Sequence, residues 1–448
     1  MLDNADTLQQ LNDLVSTALK AGADAADAVD IKSVALSHAQ RLGEVEKVER
    51  AESRDLGLRV FIGKKQAVAS STDSSKDALA ELVQRAIDMA KAVPEDTHCG
   101  LADAEEVLRG GVPELDLADP EEPSTETLTA RARDCEAAAR VVLGVSNSEG
   151  AEASWSSSNV AIAASNGFAG AYRSTGHGFG VAVLAGEGTE MERDYESTSA
   201  TFSEDLEAPE VVGQTAGQRA VARLKPRKVE TQQVPVVFAP RVANGLLRHL
   251  AAAVNGAAVG RGTSFLKDSM GERILPKGVH IIDDPHRKRG HRSKPFDAEG
   301  IPNDEIYLVK DGMLENWVLD LATARKLDLP SNGRASRGTS SPPSPGTTNL
   351  YMPASQISPS ELIVDITEGF YVTDLMGFGI NNVTGDYSRG ATGFWIENGT
   401  ISYPVSEVTI ASNLKNMFLN LTQADDLRFK YGTDAPTIRI ESMTVAGN

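Results

Sequence analysis

Apolar residues in the first 150 positions switch between helical and strand periodicity. Three segments repeat apolar residues at three- and four-residue steps, which predicts amphipathic helices over residues 7–19, 77–93 and 126–142. Between the first two segments, residues 28–35 and 57–70 are rich in Val and Ile alternating with polar residues, a pattern typical of strands. The order helix, strands, helix favours an α+β layer over a doubly wound parallel sheet.

The pattern changes after residue 143. Residues 144–184 form short alternating runs of Ser, Gly, Ala and Val, which predict further strands. A helix predicted over 209–224 leads into the polar stretch 225–233, which contains the helix-breaking Pro226. We therefore predict an N-terminal α/β domain of residues 1–228, with helices flanking a mixed or antiparallel sheet.

The second half has a mostly β pattern. It opens with a buried-strand run at Val234–Phe238 and a helix predicted over 241–254, and helical spacing returns only near 413–421. Two hairpins are indicated by apolar alternation around a turn that requires positive φ. These turns are Asp311-Gly312 and Asn398-Gly399.

These strands predict a C-terminal, mostly β domain of residues 229–448, built on a curled, barrel-like sheet with two helices laid on it. The fold class of the whole chain is therefore α+β. Residues 334–348 form a Ser-, Gly- and Pro-rich loop, and a loop of this length inside a domain is either functional or disordered.

Charge and cysteine content exclude several classes of protein. Lys and Arg number 44 against 63 Asp and Glu, so the net charge of −19 argues against a nucleic-acid partner. Cys99 and Cys135 cannot form a disulfide framework. The acidic N-terminus does not resemble a signal peptide, and no run of about 18 apolar residues could span a membrane. We expect a cytoplasmic protein with no membrane partner.

Ordinary catalytic motifs give little support for an enzyme. No two of the seven histidines stand at the i, i+4 spacing of a helical metal site, and His286 and His291 are five apart in a charged loop. Neither a GxSxG elbow nor a phosphate-binding glycine loop occurs. Residues 286–294 carry five Lys and Arg, but against the acidic background a solvated loop or a contact with an acidic partner is favoured over phosphate binding.

Residues 366–395 contain six glycines among aromatic and amide side chains. These glycines fit bends in a strongly curved sheet, and they fit equally an exposed strand edge onto which an extended peptide can add. The candidate residues for a peptide groove are Gly377, Gly379, Asn381, Asn382 and Asp386.

Five motifs in fixed order resemble the PmbA (TldE) branch of the TldD/PmbA metalloprotease family. They are Gly262-Thr-Ser-Phe265, Pro345-Gly-Thr-Thr-Asn-Leu350, Glu368-Gly-Phe-Tyr371, Thr384-Gly-Asp-Tyr-Ser-Arg-Gly390 and Ile396-Glu-Asn-Gly-Thr-Ile-Ser-Tyr-Pro404. The resemblance covers nearly the whole chain. It implies a cytoplasmic peptidase activity on unfolded or small peptides. In the TldD branch, the resemblance implies that zinc is held by a helical HExxxH motif and a later cysteine.

This chain departs from the zinc motif at the matching helix. His249 is present, but Leu250 stands at the position of the glutamate and Val254 at the position of the second histidine. Leucine cannot take a proton from water and valine has no lone pair for zinc. Because no cysteine follows Cys135, the third ligand is missing as well.

The resemblance and the lost motif together predict no catalytic residue, no metal ligand and no cofactor on this chain. We expect a non-catalytic subunit that pairs with a TldD-like, HExxxH-containing partner, which would carry the zinc. The alternatives are a homodimeric peptide-binding or chaperone-like module, and a regulator of DNA gyrase acting through the basic loop.

Overall fold

The structure, a computed structural model, describes residues 4–447, and its first half combines four helices with six strands. The helices are α1 (Asn4–Lys20), α2 (Lys76–Ala92), α3 (Thr125–Arg140) and α4 (Pro209–Ala222). The strands are β1 (Ala25–Arg41), β2 (Glu44–Ile62), β3 (Lys65–Ser71), β4 (Val145–Ala164), β5 (Ala169–Ala185) and β6 (Glu192–Ala200).

These six strands form one antiparallel sheet in the order β3-β2-β1-β4-β5-β6. All four helices cover the same face. At one end α1 and α2 pack on residues such as Ala28 and Leu58, and at the other end α3 and α4 pack on residues such as Ala153 and Val181. Small residues in these strands let the helices approach closely, since alanine leaves little bulk above the sheet.

The second half contains five short or medium helices and thirteen strands within the described residues. The helices are α5 (Pro240–Ala253), α6 (Gly256–Gly260), α7 (Leu321–Lys326), α8 (Pro359–Ile363) and α9 (Leu414–Leu419). The strands are β7 (Gln232–Phe238), β8 (Ile281–Asp284), β9 (Ile306–Lys310), β10 (Met313–Leu314), β11 (Ala335–Ser336), β12 (Ser344–Pro345), β13 (Asn349–Tyr351), β14 (Glu368–Ile380), β15 (Asp386–Glu397), β16 (Thr400–Asn413), β17 (Leu421–Gln423), β18 (Thr433–Asp434) and β19 (Ile438–Ala446).

Five of these strands close into a barrel. The order β16-β15-β14-β7-β19 is completed by pairing of β19 with β16, and only β7 and β14 run parallel. Large side chains such as Phe238, Phe370 and Trp395 fill the core, together with the apolar face of α5. A second sheet, β10-β9-β8-β13-β18, extends the same core.

The predicted fold class is confirmed: an antiparallel sheet with flanking helices precedes a barrel. The hairpins at Asp311-Gly312 and Asn398-Gly399 form with positive φ at all four residues, as predicted. The domain bounds at 228 and 229 stay a prediction, and residues 1–3 and 448 lie outside the described range.

The strands of the first sheet are longer than the sequence pattern predicted. Residues 57–70, predicted as strand, span a hairpin in which the end of β2 pairs with β3 across Gly63, and β2 begins already at Glu44. Its first ten residues are exposed on both faces. A strand with no buried face shows no alternation of apolar and polar residues, so this half of β2 could not be detected.

The loop of residues 334–348 is ordered against the first sheet. Its Arg337 pairs with the buried Asp27 of β1. The carbonyl oxygen of Thr339 lies so close to Gly57 of β2 that a Cβ there would be 2.2 Å from it. This loop therefore joins the two halves of the chain.

Candidate functional site

Helix α5 carries His249, the position predicted to match the zinc motif. Pro240 begins the helix, where its missing N–H costs no hydrogen bond. Residues spaced three and four apart, including Leu246, Leu247 and Leu250, form its buried face against the barrel. The helix ends at Ala253, so Val254 follows as its C-cap.

His249 lies half-buried on this helix. Its ring meets the ring of Tyr387 edge to face, with 5.9 Å between the ring centroids. Burial, with additional repulsion from Arg389 and Arg248, lowers the pKa of His249 to about 4. The imidazole is therefore neutral at neutral pH. Burial also raises the pKa of the Tyr387 phenol, so that group does not ionise either.

The other two motif positions face the core. Leu250 is 1% exposed and Val254 is fully buried, and both belong to the apolar cluster that fills the barrel. Among residues 4–447, no group of three or more His, Cys, Asp or Glu side chains is placed to hold a metal ion. The donor set around His249 therefore does not fit zinc, which needs at least three protein ligands in a catalytic site.

The five candidate groove residues lie together at the tip of the β14–β15 hairpin. Asn381 uses its carboxamide oxygen to accept the N–H of Val383 at 2.9 Å, and Asp386 accepts the hydroxyl of Thr384 at 2.6 Å. Asn382 accepts the N–H of Phe265 through its carbonyl. The side chains of Asn381 and Asp386 thus hold the turn itself. The role of the five residues in peptide binding stays a prediction.

Gly377 and Gly379 flank Phe378 in the same hairpin. Gly377 has a φ of +79°, which few other residues adopt, and a Cβ at Gly379 would lie 2.2 Å from the carbonyl oxygen of Ser388. The register of β14 against β15 shifts at this point, and Phe378 is 98% exposed. The glycines thus serve a bulge in a curved strand pair.

Strand β14 has an open edge beside α5. Its parallel pairing with β7 ends at Val372 and Phe238. One further hydrogen bond joins the N–H of Ala239 to the carbonyl of Val372, and Pro240 then turns the chain into α5. Within the described part of the chain, residues 373–380 are therefore paired on the β15 side alone.

A cleft of about 610 Å³ lies at the start of this open edge, between the two halves of the chain. Its walls come from α4 and β6 on one side and from β14, the start of α5 and residues 426–435 on the other. Tyr371, Thr373, Phe394 and Tyr431 supply aromatic and small polar surface. No sequence pattern indicates this cleft, because its residues come from distant segments without a shared motif.

Charged groups in the cleft are paired across it. Asp194 of β6 accepts from Arg241 at 2.7 Å and from Arg223 at 3.1 Å. Burial raises the pKa of Asp194, but these ion pairs outweigh burial and lower it overall. Among the described residues, Nη2 of Arg241 has no hydrogen-bond partner, although it is buried. A buried donor without a partner is energetically costly. The guanidinium of Arg241 also lies over the ring of Tyr195, with 4.6 Å between Cζ and the ring centroid.

Three family models match consecutive parts of the chain between residues 32 and 447. Residues 32–90, 118–224 and 231–447 match, in that order, the PmbA/TldA metallopeptidase domain 1, central domain and C-terminal domain. The chain is 38% identical over 442 residues to the metalloprotease PmbA of Escherichia coli O157:H7, covering 98% of this chain and 96% of that protein. The chain belongs to the PmbA/TldD metallopeptidase family.

A further relative supports this assignment, and solved structures share the fold. A PmbA homolog of Haemophilus influenzae is 35% identical, with 98% of this chain and 96% of that protein covered. Among solved structures, TldE of Thermococcus kodakarensis superposes with a TM-score of 0.87 at 19% identity, covering 98% of this chain and all of that one. A Bacteroides thetaiotaomicron protein titled as a candidate modulator of DNA gyrase gives 0.89 at 25% identity, with full coverage of both chains. The family resemblance stated from the motifs is confirmed.

Two arginines of the basic run 286–294 contact other parts of the same chain. Arg289 donates to Asp116, Glu204 and Asp205 at 2.7–3.0 Å. Arg287 lies 3.3 Å from the ring centroid of Phe429, and burial lowers the pKa of Lys294. The acidic partners of Arg289 thus belong to the same chain, whereas Lys288 and Arg292 are exposed, and the expectation of a solvated loop or a contact with an acidic partner stays a prediction. No helix formed by residues 4–447 is long and apolar enough to cross a membrane.

Proposed function

We propose that this chain is the metal-free subunit of a zinc metalloprotease and pairs with a TldD-like, HExxxH-containing subunit. The observation that carries the proposal is the burial of Leu250 and Val254 at the positions of the motif glutamate and histidine. Neither position can take up a ligand without placing a polar group in the barrel core. Zinc and the general base would then come from the partner.

The substrate side of the proposal rests on β14 and the cleft beside it. An extended peptide could add to the open edge of residues 373–380 through backbone hydrogen bonds. One end of the peptide would reach the cleft, since Thr373, the first residue of the open edge, lines it. Such contacts recognise backbone rather than sequence, which suits unfolded peptides in general.

The first experiment assays this chain alone and then together with the proposed partner. The purified chain should hold far less than one zinc per molecule by elemental analysis and should not cleave a fluorogenic unfolded peptide. Adding the HExxxH-containing relative from the same cell should give a complex by size exclusion and restore cleavage. Stoichiometric zinc together with cleavage by this chain alone would refute the proposal.

A second experiment tests the peptide site on this chain without any partner. Thr373 lines the cleft and is half-buried, so Thr373→Arg should fill the cleft and weaken binding of a fluorescein-labelled extended peptide about tenfold or more. Thr400→Arg makes the same change at an exposed position of β16 and should leave binding unchanged. Equal affinities for the two variants would place peptide binding elsewhere.

A further inference from the structure

The helix-covered face of the first sheet has a gap between its two helix pairs. Helices α1 and α2 pack on one end of this face, and α3 and α4 pack on the other. A trough of about 360 Å³ lies in the gap, with a floor formed by the neighbouring strands β2, β1, β4 and β5. We call it the sheet trough. A volume of this size suits a small molecule.

The floor of the sheet trough is cationic. Lys32 of β1 faces Arg54 of β2 on one side and Asn159 of β4 on the other, and Asn159 in turn faces Arg173 of β5. Side chains of directly opposed residues point to the same face of a sheet. One row across four strands therefore presents three positively charged side chains to the trough.

Two of these cations are held by a buried carboxylate. Asp30, whose side chain is fully buried, accepts Nε and Nη2 of Arg54 at 3.0 Å each, and Nζ of Lys32 lies 3.5 Å from it. Lys32 also donates to the hydroxyl of Thr7 at 2.8 Å. Since one carboxylate faces two cations, this group keeps one positive charge and a fixed geometry.

The third cation, Arg173, is positioned but not neutralised. Its Nε donates to Oγ of the buried Ser157 at 2.9 Å, whereas neither of its terminal nitrogens bonds to another residue in the range 4–447. Among the described residues that line the trough only Glu52 is acidic, and its Oε1 is 2.9 Å from Nε of Arg50. The sheet trough thus has a positive excess in a chain whose net charge is −19.

The free end of Arg173 determines which chemistry the trough can recognise. A guanidinium is planar, and its two terminal amino groups match the two oxygens of a carboxylate or phosphate. Beside this row, the half-buried Val34 offers an apolar contact for a carbon chain. The amide of Asn159 lies between Lys32 and Arg173 and adds a neutral polar group.

We infer that the sheet trough binds a small organic anion, whose carboxylate or phosphate group is held by Arg173 with the charge of Lys32 beside it, and whose carbon chain lies over Val34. The trough shares no lining residue with the cleft between the two halves. The inference therefore goes beyond the proposed function, and its test needs neither a partner subunit nor a peptide.

Isothermal titration calorimetry of the full chain tests the site with two charged probes, glutarate and glycerol phosphate. At least one of them should bind with one molecule per chain, and the tighter one identifies the preferred anionic group. The uncharged counterparts, glutaramide and glycerol, should not bind. Added salt should weaken binding, since the attraction is between charges.

Substitutions at Arg173 then locate the binding. Arg173→Gln removes the charge and the planar fork and should weaken binding about tenfold or more. Arg173→Lys keeps the charge without the fork and should lose part of the affinity. Arg140→Gln makes the same charge change at the exposed last residue of α3 and should leave the affinity unchanged.

Asn159→Glu provides a second test at a half-buried position, where a new carboxylate between Lys32 and Arg173 should compete with the probe and abolish binding. Thermal unfolding without a probe checks that each variant is folded. Failure of both charged probes to bind at about 10 mM, or equal binding of the uncharged counterparts, would overturn the inference. Unchanged affinity in Arg173→Gln and Asn159→Glu would place the anion elsewhere and overturn it as well.

Discussion

At the scale of single residues, His249 is set apart by its surroundings. Burial first, and then the charges of Arg389 and Arg248, lower its pKa from the usual 6.5 to about 4. In the folded chain the ring therefore stays neutral over a range in which the unfolded chain has already bound a proton. Protonation favours unfolding throughout that range.

The first prediction concerns this difference in proton binding. The contribution of His249 to stability should be complete above pH 6.5 and should be lost as the pH falls toward 4, by on the order of 2 kcal/mol after allowance for the partly exposed ring. His249→Gln should lose that part of the pH dependence, measured by urea unfolding across the acidic range. Parallel stability curves for the two proteins would show that His249 does not titrate in this way.

Position 250 gives a second prediction at the residue scale. Leu250→Glu introduces the residue that the resemblance predicts for the catalytic branch, but it places a carboxyl group among core side chains that are buried. The change should cost about 3 kcal/mol or more and should not create a zinc site, because the other ligands are missing. Arg248 directly precedes His249 and is exposed, so Arg248→Glu should lower the free energy of unfolding much less. Urea denaturation of the two variants would measure the difference.

Residue identity was informative where chemistry depends on one side chain. The family resemblance predicted that Leu250 and Val254 stand where the catalytic branch has a base and a ligand, and no fold is needed to know that these side chains lack lone pairs. It could not show that Arg241 keeps a buried donor unpaired, because that depends on Asp194 and Tyr195, which come from a strand of the other half of the chain.

At the scale of elements, close contact between the loop of residues 334–348 and β2 gives a third prediction. Gly57 has ordinary strand conformation, so alanine would not strain the backbone, but its Cβ would overlap the carbonyl group of Thr339. Gly57→Ala should destabilise the chain by about 1–3 kcal/mol, since the loop must move away from the sheet. Guanidinium unfolding, monitored by the fluorescence of the three tryptophans, would measure the decrease in the free energy of unfolding.

Gly245→Ala is the control for that measurement. Gly245 lies inside α5 with no atom within 4 Å of a built Cβ, so alanine should stabilise the chain by up to about 1 kcal/mol through helix propensity. Equal effects of the two substitutions would show that the contact between Gly57 and Thr339 is not tight.

Elements were predictable where a buried face leaves a periodic pattern. Helices α1, α2 and α5 were located within a few residues, because each has one apolar face against a sheet. The exposed half of β2 escaped detection because neither of its faces is buried. The open edge of β14 depends on where β7 stops, which is a property of the assembled barrel and of no local segment.

At the scale of the whole molecule, buried charges join the two halves. Asp27 of β1 pairs with Arg59 of β2 and with Arg337 from the loop, and Glu299 lies 3.9 Å from the same Arg59. No sequence pattern predicts this cluster, because its members are up to 310 residues apart and each is buried only after the halves have met.

The last prediction follows from the carboxyl group of Glu299. Burial raises its pKa above the ordinary 4.5, and attraction to Arg59 does not cancel that effect. The folded chain thus keeps a proton on Glu299 at pH values where the unfolded chain has lost it. The stability contribution of the protonated Glu299 is complete below pH 4.5 and is lost as the pH rises through the raised pKa.

Glu299→Gln cannot ionise and can still accept the N–H of Leu321, so its stability relative to wild type should increase as the pH rises. Glu305→Gln removes an exposed charge and serves as the control. If thermal unfolding shows the same stability difference between Glu299→Gln and wild type at every pH from 4.5 upward, the pKa of Glu299 is not raised.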